Sequence, residues 1–121
     1  MLHTVSLKEN SSFRRLYYRG ASAGCRLMVV YCRRNGSKTS RLGLTVSVKL
    51  GHAVVRNRLR RRLREIYRAQ EAQLLPGYDI VIVARSAAVE ADFSALGRSF
   101  AAMTGKLKLR APASDAKEGG A

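Results

Sequence analysis

The chain has 121 residues, 46% of them apolar, and carries 23 Lys and Arg against 8 Asp and Glu, a formal net charge of +15. That length holds one compact domain and is too short for two independent ones, and the apolar share excludes a wholly disordered chain. So large a cationic excess repels itself in a compact fold unless a polyanion relieves it. Nucleic acid is therefore the first candidate partner and an anionic membrane surface the second.

No segment reaches the roughly 18 consecutive apolar residues of a spanning helix. The opening "MLHTVSLKENSSF" has neither the basic start nor the apolar block of a secretory signal, so a cytoplasmic location is expected. Cys25 and Cys32 read as free thiols filling space in a reducing compartment, and His3 and His52 stand at no ligand-like spacing from them.

In chain order, "NSSFRRLYYRG" (10–20) predicts a short helix, capped by Asn10 or Ser11 and ended by Gly20 in a left-handed conformation. Phe13, Leu16 and Tyr17 share one face of it, and core packing is the plainer account of Phe13 and Leu16. "RLMVVYC" (26–32) is a β-favouring run. The Asn35-Gly36 turn follows, and "RLGLTVSV" (41–48) alternates Leu42, Leu44, Val46 and Val48 with small or polar residues. These two strands are expected to pair as an antiparallel hairpin.

The stretch "RNRLRRRLREIYR" (56–68) then places seven arginines in thirteen positions with a single acid, Glu65. At about 100° per residue, Val55, Leu59, Leu63, Ile66 and Gln70 form one stripe with Tyr67 at its edge. Asn57, Arg60, Arg61, Arg64 and Arg68 gather opposite, while Arg58 and Arg62 flank the stripe, where their stems can lie on the core. A charged face usually interleaves acids at i,i+4, but Glu65 can neutralise only one neighbour, so the helix is built for phosphate. Pro76-Gly77 closes the region. "YDIVIVAR" (78–85) is the strongest strand, and "ADFSALGRSFAAMTGKL" is a last helix capped by Asp92. The expected organisation is one domain over 1–110 and a disordered tail over 111–121. The order α-β-β-α-β-α indicates an α+β fold, an α/β sandwich with one central sheet.

As a self-contained enzyme the chain is poorly equipped. Glu90 and Asp92 are the only close acidic pair before the tail, and their place at a helix start explains them as dipole and capping residues. No glycine-rich phosphate loop is present. The basic helix alone leaves RNA, DNA and an acidic protein open as partners.

The stretch "GLTVSVKLGHAVVRNRLRRRLRE" (43–65), with "LKENSSFRRLYYRG" before it and "YDIVIVAR" after it, resembles the protein subunit of bacterial ribonuclease P. The resemblance runs from about Leu7 to Leu107. It implies a non-catalytic subunit that binds a large catalytic RNA, one protein per RNA. That RNA uses Mg²⁺ to hydrolyse the phosphodiester at the 5′ end of precursor tRNA. Arg56, Asn57, Arg58, Arg60, Arg61 and Arg64 carry over as contacts to the catalytic RNA, and charge and facing alone add Arg62 and Arg68. The resemblance further implies a cleft for the single-stranded 5′ leader, with Phe13, Tyr17 and Tyr31 as aromatics and Lys49 at the strand end; a base stacks on a ring whatever its identity. It also implies a left-handed crossover at the basic helix, as in the second domain of ribosomal protein S5, where general topology favours the right-handed one. His52 stands where the family often has Asn, and Val48 where it often has lysine. A general RNA-binding protein and a protein-only nuclease remain the rival readings.

Overall fold

The structure is a computed structural model, and it describes residues 4–7 and 10–111, with only the backbone for 10–12. The elements are β1 (Thr4–Ser6), α1 (Asn10–Arg19), β2 (Ala21–Gly24), β3 (Met28–Arg34), β4 (Ser40–Thr45), α2 (Ala53–Gln70), β5 (Tyr78–Ala84) and α3 (Phe93–Lys106). Short 3-10 turns lie at Val48–Leu50, Glu71–Gln73 and Ser86–Val89. The strands form one sheet in the order β1-β4-β5-β3-β2.

The expected hairpin does not form. β5 inserts between β3 and β4, antiparallel to the first and parallel to the second, with Val30 opposite Ile82 and Leu44 opposite Ile82 on its other side. The physical reason lies in "YDIVIVA": a central strand buried on both faces needs a continuous apolar run, and β5 is buried at nearly every position, whereas β3, also apolar, alternates buried and half-buried residues. β4 and β5 are thus parallel neighbours joined through α2. The two strands without an apolar pattern, β1 and β2, take the sheet's edges, β1 parallel to β4 and β2 antiparallel to β3.

Period-two alternation sorts the sheet's side chains into two layers. Met28, Val30, Cys32, Leu42, Ile80 and Ile82 join Leu59, Leu63, Ile66, Tyr67, Leu96 and Phe100 in the main core beneath α2 and α3. On the opposite face, Leu7, Leu16 and Val81 form a smaller core under α1, with Phe13, Tyr31 and Val83 against it. α1 and α2 therefore lie on opposite sides of one sheet.

Several local expectations change. β4 stops at Thr45, and Val48, expected on the apolar side, sits in a 3-10 turn and is 73% exposed. Gly20 ends α1 without the left-handed conformation, since positive φ occurs at Gly36, Gly51 and Gly77 among the glycines. What Gly20 supplies is room: a Cβ there would lie 2.6 Å from the Leu16 carbonyl oxygen and 2.7 Å from that of Cys32. The side chains of Asn10 and Ser11 lie outside the described residues, whereas Asp92 caps α3 by accepting the Ala95 N–H at 2.7 Å. Tyr67 is not at the stripe's edge but fully buried, 6.0 Å from the Phe100 ring. Its hydroxyl meets the Thr4 hydroxyl at 2.8 Å, and Thr4 in turn donates to the buried Glu71 carboxylate, fastening β1 to the end of α2. Burial pushes the Tyr67 phenol up; the Thr4 bond opposes this and the Glu71 charge adds to it.

Candidate nucleic-acid interface

α2 runs unbroken for 18 residues, and its burial fixes which way the cations point. Leu59, Leu63, Ile66 and Tyr67 are buried, so Asn57, Arg61, Arg64 and Arg68 face solvent on the far side. The entry is set by Gly51, whose φ of 145° is a conformation that L side chains rarely adopt. His52 follows as an exposed N-cap without a side-chain bond, and its carbonyl accepts the Arg56 N–H at 3.0 Å. Arg56 Nε donates to the Gly51 carbonyl at 3.1 Å, so that side chain braces the turn.

The remaining arginines differ in what they already hold. Arg68 pairs with Glu65, Arg60 donates to Asn57 Oδ1 at 3.1 Å, and Arg62 donates to the Ala91 carbonyl at 3.3 Å. Arg58, Arg61 and Arg64 are exposed and have no hydrogen bond or ion pair among the described residues. Their donors are available to an external anion. Arg58 and Arg62 also wall a cavity of about 230 Å³ with Val55, Leu59, Val89 and Glu90.

Across the sheet, α1 brings three of the four expected cleft residues together. The Phe13 and Tyr17 ring centroids are 6.5 Å apart, and Tyr17 meets Tyr31 edge-on at 4.9 Å. Tyr17, 40% exposed, touches Thr45 Oγ1 through its hydroxyl at 3.1 Å. Phe13 lies directly on β4, because a Cβ at Gly43 would come within 2.6 Å of its Cζ. Lys49 is exposed in the 3-10 turn after β4, and no contact ties it to the aromatics among the described residues.

Sequence reasoning missed two features of this surface. Gly43 lies against Phe13 and Thr45 is bonded to Tyr17; a lone glycine inside a strand pattern was the available signal for a close approach. A cavity of about 270 Å³ at the β1–β4 edge is lined by Phe13, Gly43 and Leu44 together with Arg60 and Arg64. Phe13, at one end of the aromatic cluster, thus meets the basic flank of α2 around the edge of the sheet. Among the described residues no three His, Cys, Asp or Glu side chains converge as a metal site, and no helix is long and apolar enough to cross a membrane.

A cationic helix on one face of an α+β sandwich and an aromatic cluster on the other define a basic domain suited to a polyanion. The Ribonuclease P family profile matches residues 1–108. The chain belongs to the ribonuclease P protein family, whose members are the protein subunit of an endoribonuclease ribonucleoprotein. It is 38% identical over 109 residues to the ribonuclease P protein component of Natranaerobius thermophilus, covering 90% of this chain and 95% of that one. With the component of Clostridioides difficile it shares 41% over 97 residues, 79% of this chain and 85% of the relative. The structure of the Staphylococcus aureus RNase P protein superposes with a TM-score of 0.80 at 32% identity, over 90% of this chain and 98% of that one.

Proposed function

We propose that this subunit docks on the catalytic RNA of ribonuclease P through the outer face of α2 and holds the 5′ leader of precursor tRNA in the cleft under α1. In this reading one protein serves one RNA, in the cytoplasm. The observation that carries it is the set of unspent guanidinium groups, Arg58, Arg61 and Arg64, on a continuous helix with one acid already taken by Arg68. Arg60 and Arg64 border both surfaces, so a leader in the cleft and the RNA on α2 approach each other at the β1–β4 edge.

The chemistry follows from charge and stacking. A protein of +15 lowers the repulsion between two polyanions, the RNA and its substrate, and so lowers the Mg²⁺ they require. Among the described residues no His, Cys, Asp or Glu set converges on a metal, and in this reading magnesium is held by the RNA. Tyr17 and Tyr31 offer π-faces to leader bases without sequence preference. Only the precursor has a leader, so these contacts favour substrate over mature product.

The test compares precursor and mature tRNA affinities of the reconstituted holoenzyme carrying Tyr17→Ala. Losing one stacked base should lower the ratio of the two affinities about 5-fold or more, and Tyr17→Phe, which keeps the ring, should retain it. An unmoved ratio with Tyr17→Ala removes the leader role.

A further inference from the structure

α1 has a second face that the cleft does not use. Tyr18, next in sequence to the cleft residue Tyr17, is 85% exposed, the most exposed of the large apolar and aromatic side chains described. It lines an open concavity of about 440 Å³ with Arg14, Arg15 and Arg19. Arg15 also walls a smaller hollow of about 150 Å³ with Arg33, Arg34, Asn35, Arg41 and Asp79. The acid there is already committed: Asp79 accepts Arg41 Nε at 2.8 Å, Arg41 Nη2 at 2.6 Å and Asn35 Nδ2 at 3.0 Å. Arg14, Arg15, Arg19 and Arg33 have no hydrogen bond or ion pair among the described residues, and Arg34 lies over the Tyr78 ring at 5.9 Å. An exposed ring surrounded by unpaired guanidinium groups fits a polyanion that also presents flat faces.

We infer that the outer face of α1 is a second strand-binding surface, on which Tyr18 stacks a base of single-stranded RNA while Arg14, Arg15 and Arg19 hold its phosphates. The contrast with α2 decides between single and double strands. On α2 the one aromatic, Tyr67, is buried, so that helix can only grip a backbone. The outer face of α1 offers a ring as well, and a ring is of use only where bases are unpaired. The occupant is the leader beyond the cleft: successive residues of one helix carry the strand from Tyr17 to Tyr18. This rests on the leader reading of the cleft and extends it.

The experiment uses the reconstituted holoenzyme and two precursor tRNAs, with leaders of about 4 and about 16 nucleotides, the range a small domain spans on a strand. Tyr18→Ala should weaken the long-leader precursor about 5-fold or more and leave the short one unchanged, and Tyr18→Phe should bind like the parent. Replacing Arg15 and Arg19 together by Ala should lower the log–log salt slope for the long leader by up to about 0.7 per lost contact. Annealing a complementary strand to the distal leader should abolish the Tyr18 effect. Equal weakening of both precursors, no weakening of either, or an effect that survives annealing would overturn the inference. Tyr17→Ala on the short-leader precursor tests the cleft by itself, so failure there is distinguishable from failure at Tyr18.

Discussion

Replacing Arg58, Arg61 and Arg64 together by Ala probes the three α2 arginines that make no hydrogen bond or ion pair among the described residues. Each phosphate contact contributes about 0.7 to 0.9 to the slope of log affinity against log salt, so three contacts should remove about 2 to 3. At a difference of about 2.4, the advantage of the parent protein shrinks about 30-fold between about 50 and about 200 mM salt. Exposed substitutions away from special features stay within about 0.5 kcal/mol each. Relief of like-charge repulsion offsets such losses, so the free triple variant should stay folded and melt close to the parent. The assay is titration of the catalytic RNA at several salt concentrations, beside a thermal melt of the free protein. Arg68→Ala is the internal comparison: its guanidinium is already shared with Glu65, so its slope change should be smaller. A folded triple variant with an unchanged slope would refute the docking face, and an unfolded one would refute its outward orientation.

Gly43→Ala places a Cβ against the Phe13 ring, so the ring must move; precursor preference should fall at a stability cost of about 1–3 kcal/mol, with the α2 salt slope unchanged in RNA titrations. Leu63→Ala, in the main core, should cost about 2–5 kcal/mol by denaturant unfolding. The buried Tyr67 phenol titrates above its ordinary range, so the folded state retains that proton more firmly than the unfolded chain. Its contribution to stability is complete below pH of about 10 and is lost as pH rises through the higher folded value, so Tyr67→Phe should flatten the alkaline limb of a stability–pH curve. Burial acts to raise both thiols. At Cys25 the hydrogen bonds from Met28, Leu27 and Ser99 and the Arg85 charge outweigh it and bring the net value down, while Cys32 stays raised. Mass spectrometry after brief iodoacetamide treatment should find Cys25 modified first.

The basic helix was legible because its two signals agree: four buried apolar residues at helical spacing and seven arginines with one acid. β5 was legible for its unbroken apolar run, while the hairpin expected from the Asn35-Gly36 turn failed because β5 takes the place between β3 and β4. A sequence shows which segment belongs at the centre of a sheet but does not show that a later strand will separate two earlier ones. β1 and β2 carry too little apolar surface to register; they are ordered by pairing with neighbours and, for β1, by the Thr4–Tyr67–Glu71 contacts across more than sixty residues. Tyr67 was misplaced by facing alone because its hydroxyl makes burial affordable only once Thr4 is beside it. The resemblance supplied Phe13, Tyr17 and Tyr31 and the structure brings these rings together, whereas the approach of Phe13 to Gly43 and the reach of Arg60 and Arg64 to that end needed coordinates.

The most direct measurement is cleavage of precursor tRNA at low Mg²⁺ by the catalytic RNA, with and without this protein. The protein alone should be inert, and adding it should let the RNA cut at magnesium concentrations where the RNA by itself is slow. Cleavage by the protein without RNA, or no stimulation at any magnesium concentration, would show that the protein does not act by docking on a catalytic RNA.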